Sequence, residues 1–216
     1  MTNPSPTVLL TGFTPFDGEV LNPSWQAVRA FDGKNIAGHR VMAVELPTEF
    51  GAALPALRRA LRTVRPRLAI AFGLAGGRAG ISLERVAINV IDARIPDNAG
   101  AQPIDVPVLR SGPVAYFSTL PIKAMLAALQ RSDIPAGISQ TAGTYVCNQV
   151  FYALMHAARH QRFSAGFVHV PWLPEQATRH AAPGMPLAQM QQAVGIIVRV
   201  ALTTAGDACL SGGAVA

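Results

Sequence analysis

Cysteine is nearly absent from this chain: two residues in 216, Cys147 and Cys209. Two thiols make no disulfide framework. The fold must therefore rest on its core, and a chain of this size buries roughly 70% of the surface its unfolded form exposes. Long apolar runs are missing too. No stretch reaches the ~20 apolar residues that a membrane span needs, so no membrane partner is expected. Met1 to Pro6 lacks the basic and apolar regions of a secretory leader. Free thiols then suit the reducing cytoplasm, which is the expected compartment. Charge is sparse, at 14% of residues, with 12 acidic against 18 basic side chains and a net charge of +6. The basic residues form no run, and the few Tyr and Trp do not interleave with them. Nucleic acid is therefore not an expected partner. The densest basic group is Arg58, Arg59, Arg62, Arg65 and Arg67, whose roughly helical spacing reads as a solvated helix face.

What is abundant is apolar. Half the residues are hydrophobic, and the mean hydropathy is +0.29. That composition excludes disorder over most of the length. With so few charges it also points to an apolar subunit interface, hence a homo-oligomer, dimer or tetramer.

Short apolar runs alternate with amphipathic segments. Thr7–Thr11, Arg40–Leu46, Leu68–Phe72 and Ala165–Val170 read as buried strands. Asn22-Pro23-Ser24 opens a helix, with Pro23 suited to its first position. Glu49–Arg65 is helical, with a late start or a kink predicted at Pro55. Pro121–Arg131, Asn148–Gln161 and Leu187–Thr203 complete the helices. Ile81–Arg94 is β-rich. As one strand it would place Glu84, Val86, Ile88 and Val90 on one face. Residues 95–112 and 171–186 read as loops. The pattern predicts a single domain over 1–216 with a frayed tail at 207–216. The fold class is α/β, a three-layer α/β/α arrangement on a mostly parallel sheet, phosphorylase- or hydrolase-like.

Cys147 falls where an extended segment meets a helix. Free backbone amides and the positive end of the helix favour a thiolate there and can receive an oxyanion; a small buried core thiol is the plainer alternative. His169 lies where a strand gives way to a loop, the end at which ligands collect in parallel sheets. A core histidine satisfied by backbone is its alternative. Glu84 and Asp97 are the candidates for the carboxylate that orients a histidine base. Either could instead pair with Arg85 or Arg94 in a structural salt bridge. His156 and His160 lie four apart on a helix, but nothing nearby completes a metal set. The turn Gly73–Gly80 has neither the spacing nor the Lys-Ser/Thr ending of a phosphate loop, and reads as a close-packed turn.

Four stretches taken together resemble the pyroglutamyl peptidase I family. They are Thr11-Gly12-Phe13-Thr14-Pro15-Phe16 through Trp25, Glu84-Arg85-Val86 through Asn98, Ala142-Gly143-Thr144-Tyr145-Val146-Cys147-Asn148, and Phe167-Val168-His169-Val170-Pro171 through Gln176. The resemblance implies a cytosolic, commonly oligomeric α/β/α cysteine peptidase that needs no metal or other cofactor. Its substrates would be peptides with an N-terminal pyroglutamate. It makes Cys147 the nucleophile, His169 the base, Glu84 the orienting acid and Arg94 an aid to the oxyanion. Phe13, Phe16, Thr48, Ile95, Tyr145 and Val146 match positions of the lactam pocket. Leu74 stands where the family often has Gln. Two competing readings are a nucleoside phosphorylase-like enzyme, using the Gly73–Gly80 turn for phosphate, and a binding protein that keeps the lactam pocket without turnover.

Overall fold

A computed structural model of the chain describes residues 6–213. The elements in order are β1 (Thr7–Phe13), α1 (Pro23–Arg29), β2 (Asn35–Ile36), β3 (His39–Leu46), α2 (Phe50–Val64), β4 (Leu68–Leu74), β5 (Ile81–Glu84), β6 (Val86–Ile88), β7 (Ala115–Phe117), α3 (Ile122–Gln130), β8 (Ala136–Ser139), α4 (Val146–Gln161), β9 (Ser164–Val170), α5 (Pro174–Arg179) and α6 (Leu187–Thr203). Seven strands form one sheet in the order β2-β3-β1-β4-β9-β5-β8, and β6 and β7 form a separate pair. Within the large sheet β2 runs antiparallel to β3 and β5 antiparallel to β9, while the other pairs are parallel.

Alternation along the strands sends successive side chains to opposite faces. On one face Val8, Leu10, Ile70, Phe72 and Val168 pack with residues of α1, α3 and α6, such as Val28, Met125 and Ile197. On the other, Leu9, Ala69, Ala71, Ala165 and Phe167 pack with residues of α2 and α4, such as Leu57 and Phe151. This is the expected three-layer arrangement. The alanines on the second face are small, which lets α4 approach the sheet closely.

Local chemistry explains several boundaries. Asn22 caps α1 by accepting from the Ser24 amide at 3.0 Å, with Pro23 in the first turn. The helix α2 continues through Pro55; that residue is solvent-exposed, so water can satisfy the carbonyl its missing N–H leaves free. Residues 81–94 are not one strand. The chain leaves the large sheet at Arg85, whose N–H donates to Ser139 O at 2.9 Å and whose C=O accepts from Ser118 N at 2.9 Å. Val86 and Ile88 thus pair with β7 and do not share a strand face with Glu84. The segment 171–186 is also not all loop, because it contains α5.

Part of the tail is docked. Asp207 accepts from the Lys123 and Ala124 amides at 3.0 and 2.9 Å, capping α3 from a distance. Gly212 O accepts from Arg85 Nη2 at 3.0 Å. Residues 214–216 lie outside the described residues. No helix among those described is long and apolar enough to cross a membrane.

Candidate active site

His169 is the penultimate residue of β9, registered against Gly73 on β4 and Ser82 on β5. Glu84, the last residue of β5, lies two positions along on the same face. Its Oε1 meets His169 Nδ1 at 2.7 Å. Glu84 is fully buried, and His169 is only 3% exposed. An ionised carboxylate can only accept, so the ring must carry its proton on Nδ1. That leaves the Nε2 lone pair free to act as a base.

Burial is the largest single influence on Glu84 and opposes its ionisation. The hydrogen bond and charge of His169, followed by Ser139 and Arg78, nevertheless hold its carboxyl below the ordinary carboxylate range. Oε1 also accepts from Arg78 Nη1 at 2.7 Å. Ser139, the register partner of Glu84 on β8, spends its hydroxyl on Thr141 O at 2.9 Å. Glu84 Oε2 is left buried and without a hydrogen-bond partner among the described residues.

Cys147 is the second residue of α4, after Tyr145 as N-cap. Asn148 fixes this helix start. Its side chain donates to Ile88 O and Val90 O, both at 2.9 Å, and accepts from Ile88 N at 3.1 Å. The first helical hydrogen bond runs from Gln149 N to Tyr145 O, so the amides of Val146, Cys147 and Asn148 have no intrahelical partner. The thiol reaches the sheet over Gly73. A Cβ at that position would lie 2.8 Å from Cys147 Sγ and 2.8 Å from the Phe167 ring. Burial, followed by the charge of Glu84, pushes the Cys147 thiol up to about 12, with Arg78 acting in the opposite direction. Exclusion of water outweighs the helix end here.

Cys147 and His169 line one cavity of about 180 Å³. Phe13, Phe16, Thr48 and Tyr145 form walls, joined by Leu74 and Arg78. Tyr145 is held edge-on by Phe50, ring centres 5.2 Å apart, and donates to Pro96 O at 3.0 Å. Thr48 spends its hydroxyl on Thr14 O at 2.8 Å. No carboxylate lines this cavity among the described residues.

Other candidates lie elsewhere. Asp97 accepts from the amides of Phe50, Ala99 and Ala101 at 2.7–2.9 Å, so it caps α2 and its own turn. Val146 points into the core. Ile95 is half-buried and Arg94 exposed, and neither lines the cavity. Neither Arg85 nor Arg94 pairs with Glu84; Arg78 does, and the sequence reading missed it. Gly73 was missed as well. Their signals were a glycine near the end of an all-buried strand and a lone arginine inside a glycine-rich turn. The turn itself is close-packed as expected: a Cβ on Gly76 would meet the Trp172 indole at 2.6 Å. His156 and His160 lie with rings 4.8 Å apart, and Tyr116 holds His156 Nδ1 at 2.7 Å. No group of three potential metal-ligating side chains occurs among the described residues. Arg58, Arg59 and Arg62 are exposed on α2.

The family model described as pyroglutamyl peptidase matches residues 6–206. The chain belongs to the pyroglutamyl peptidase family. A pyrrolidone-carboxylate peptidase of Chromobacterium violaceum is 55% identical over 210 residues, covering 97% of this chain and 99% of the relative. One from Klebsiella pneumoniae is 54% identical over 209 residues, covering 96% and 98%. The crystal structure of pyroglutamyl peptidase I from Bacillus amyloliquefaciens superposes with a TM-score of 0.93 at 41% identity, covering 96% of this chain and all of that one. The stretches that carried the resemblance converge in space. The first supplies Phe13 and Phe16 to the cavity, the third Tyr145 and Cys147 and the fourth His169, while the second places Glu84 behind His169.

Proposed function

We propose that this chain is a cysteine peptidase that removes N-terminal pyroglutamyl residues from peptides through a Cys147-His169-Glu84 triad. The observation that carries the reading is the buried Glu84–His169 hydrogen bond at 2.7 Å, with Cys147 on the same cavity. His169 Nε2 takes the thiol proton as Sγ attacks the scissile carbonyl. The carbonyl oxygen gains the negative charge, and the free amides at the start of α4 face it. Arg94 adds its charge from outside the cavity, as an auxiliary to those amides. Collapse expels the peptide amine, which leaves with the proton from His169. Water, activated by the same imidazole, then hydrolyses the S-acyl bond.

The cavity suits the substrate. Pyroglutamate is flat and uncharged, and Phe13, Phe16 and Tyr145 offer apolar walls. An ordinary ammonium terminus would enter a wall that has no carboxylate to pair it. Leu74 and Thr48, whose hydroxyl is already committed, leave lactam recognition to backbone groups and shape. The enzyme works in the cytoplasm as a one-domain subunit of a dimer or tetramer, without a cofactor. Val114 and Phe117, 86% and 70% exposed, supply apolar surface for association; sedimentation velocity checks it. The decisive assay is hydrolysis of a chromogenic pyroglutamyl amide. Iodoacetamide and Cys147→Ala should each abolish it, while Cys209→Ala leaves it intact. Turnover that survives in a folded Cys147→Ala protein refutes the mechanism.

A further inference from the structure

Resting on that peptidase reading, we propose that Arg78 is a positioning residue of the site: its guanidinium fixes Glu84 for His169 and supplies the positive charge against which the Cys147 thiolate forms.

The geometry begins with Glu84. Its carboxylate is fully buried, its Oε1 is shared by two donors at 2.7 Å, and its Oε2 has no partner. So dry an anion requires a compensating cation. His169 adds its hydrogen bond, but as the proposed base it changes charge during turnover and is not a standing counter-ion. Arg78 is the only permanently charged group that meets Glu84 among the described residues. A guanidinium stays protonated throughout the working range.

Arg78 also joins two parts of the site. From the turn after β4, its Nη1 reaches Glu84 and its Nη2 reaches Thr141 O at 3.2 Å. Thr141 begins the loop that brings Ala142 and Gly143 to the cavity and leads into α4. One side chain thus ties the orienting acid to the segment that carries the nucleophile. With a side chain one-third exposed, Arg78 borders the same cavity as Cys147. The titratable and charged groups around the thiol are Arg78 from the turn, Glu84 from β5, His169 from β9 and Tyr145 from the start of α4; β8 offers only the Ser139 hydroxyl. Of these, Glu84 opposes the thiolate and Arg78 favours it.

The competing explanation is an ordinary ion pair that holds the turn in place. Charge and bracing are separable by substitution. In a Cys209→Ala background, Arg78→Gln removes the charge and keeps a donor, whereas Arg78→Lys keeps the charge and loses the two-pronged grip. The readouts are the rate of Cys147 carbamidomethylation against pH, followed by mass spectrometry, and kcat and KM for a pyroglutamyl amide. Arg78→Gln should slow alkylation at pH 8 by roughly tenfold or more, from the loss of an opposite charge at close range, and move its rise to higher pH. It should lower kcat more than it raises KM. Arg78→Lys should recover most of the alkylation rate. If Arg78→Gln does not fold, Arg78→Met replaces it, removing the charge while keeping the packing of the stem. A folded, charge-free variant with the wild-type alkylation profile overturns the proposal. So does an Arg78→Lys protein as slow as Arg78→Gln. Absence of pyroglutamyl hydrolysis in the wild type would instead refute the peptidase reading, and the alkylation comparison would still be readable.

Discussion

Gly73→Ala tests the geometry of the nucleophile with a single methyl group. Ordinary contact to a Cβ begins near 3.4 Å, and the new methyl would sit 2.8 Å from both Cys147 Sγ and the Phe167 ring, so each neighbour must retreat by about 0.6 Å. Phe167 has little room. It is 1% exposed and enclosed by Phe13, Phe151 and His169, at ring-centre distances of 6.4, 5.6 and 4.8 Å. The start of α4 is also held, by the three hydrogen bonds of Asn148. The thiol is the group that gives. A misplacement of ~1 Å at a reacting centre costs about 10²-fold, so a shift of this size should lower kcat by roughly tenfold or more. Stability changes less. Overpacking costs about 1–3 kcal/mol, and replacing a strand glycine returns roughly 0.5–1 kcal/mol. The φ of Gly73 is not in the left-handed region, so alanine brings no backbone strain. The assay is steady-state hydrolysis of a pyroglutamyl amide beside a thermal melt. A Gly73→Ala enzyme with wild-type kcat would show that Sγ does not depend on the gap above residue 73.

Glu84→Gln should depress kcat by orders of magnitude; an amide at the orienting position of a serine triad cost ~10⁴, which is the upper bound for a cysteine site. Asp97→Asn should act on stability, by about 1 kcal/mol as for other helix caps, with kcat nearly unchanged; the opposite pattern would hand the orienting role to Asp97. Acid titration gives an independent check on Glu84. Its folded carboxyl lies below the ordinary range, so its stabilisation is complete above the unfolded value and lost as pH falls through the folded one. Glu84→Gln should therefore flatten the acid side of the stability curve, and an unchanged curve would count against the ionised pair. Leu74→Gln should lower KM about two- to tenfold, the worth of one net hydrogen bond, with less effect on kcat. An unchanged or higher KM would make Leu74 packing alone.

The sequence was most readable where one physical rule acted alone. Period-two and period-3.6 patterns located the long elements, and Asn22-Pro23-Ser24 marked the start of α1. Cys147 and His169 stood out because reactive side chains coincided with element ends. It was least readable where tertiary contacts decide. The exit at Arg85 depends on carbonyls and amides of Ser139 and Ser118, dozens of residues away, and no local pattern encodes it. Glu84 was singled out on the assumption of a shared face with Val86 and Ile88, whereas its burial comes from the β9 and β8 neighbours. Arg78 was invisible as a partner because its carboxylate lies six residues on, across a turn whose shape the glycines leave open. The short helix α5 hid among the prolines of 171–186 because six residues carry too little periodicity to register.

The pairing of Gly73 with His169 also has a kinetic meaning. It joins neighbours in the sheet that are nearly a hundred residues apart in the chain, with α3 and α4 formed between them. Closing so long a loop is slow relative to forming a helix. The seat of the thiol and His169 should therefore come into being together, when β9 docks between β4 and β5. Recovery of hydrolysis during refolding should report that docking and trail the return of the helical signal. Nascent or truncated chains that end before β9 carry Cys147 without His169.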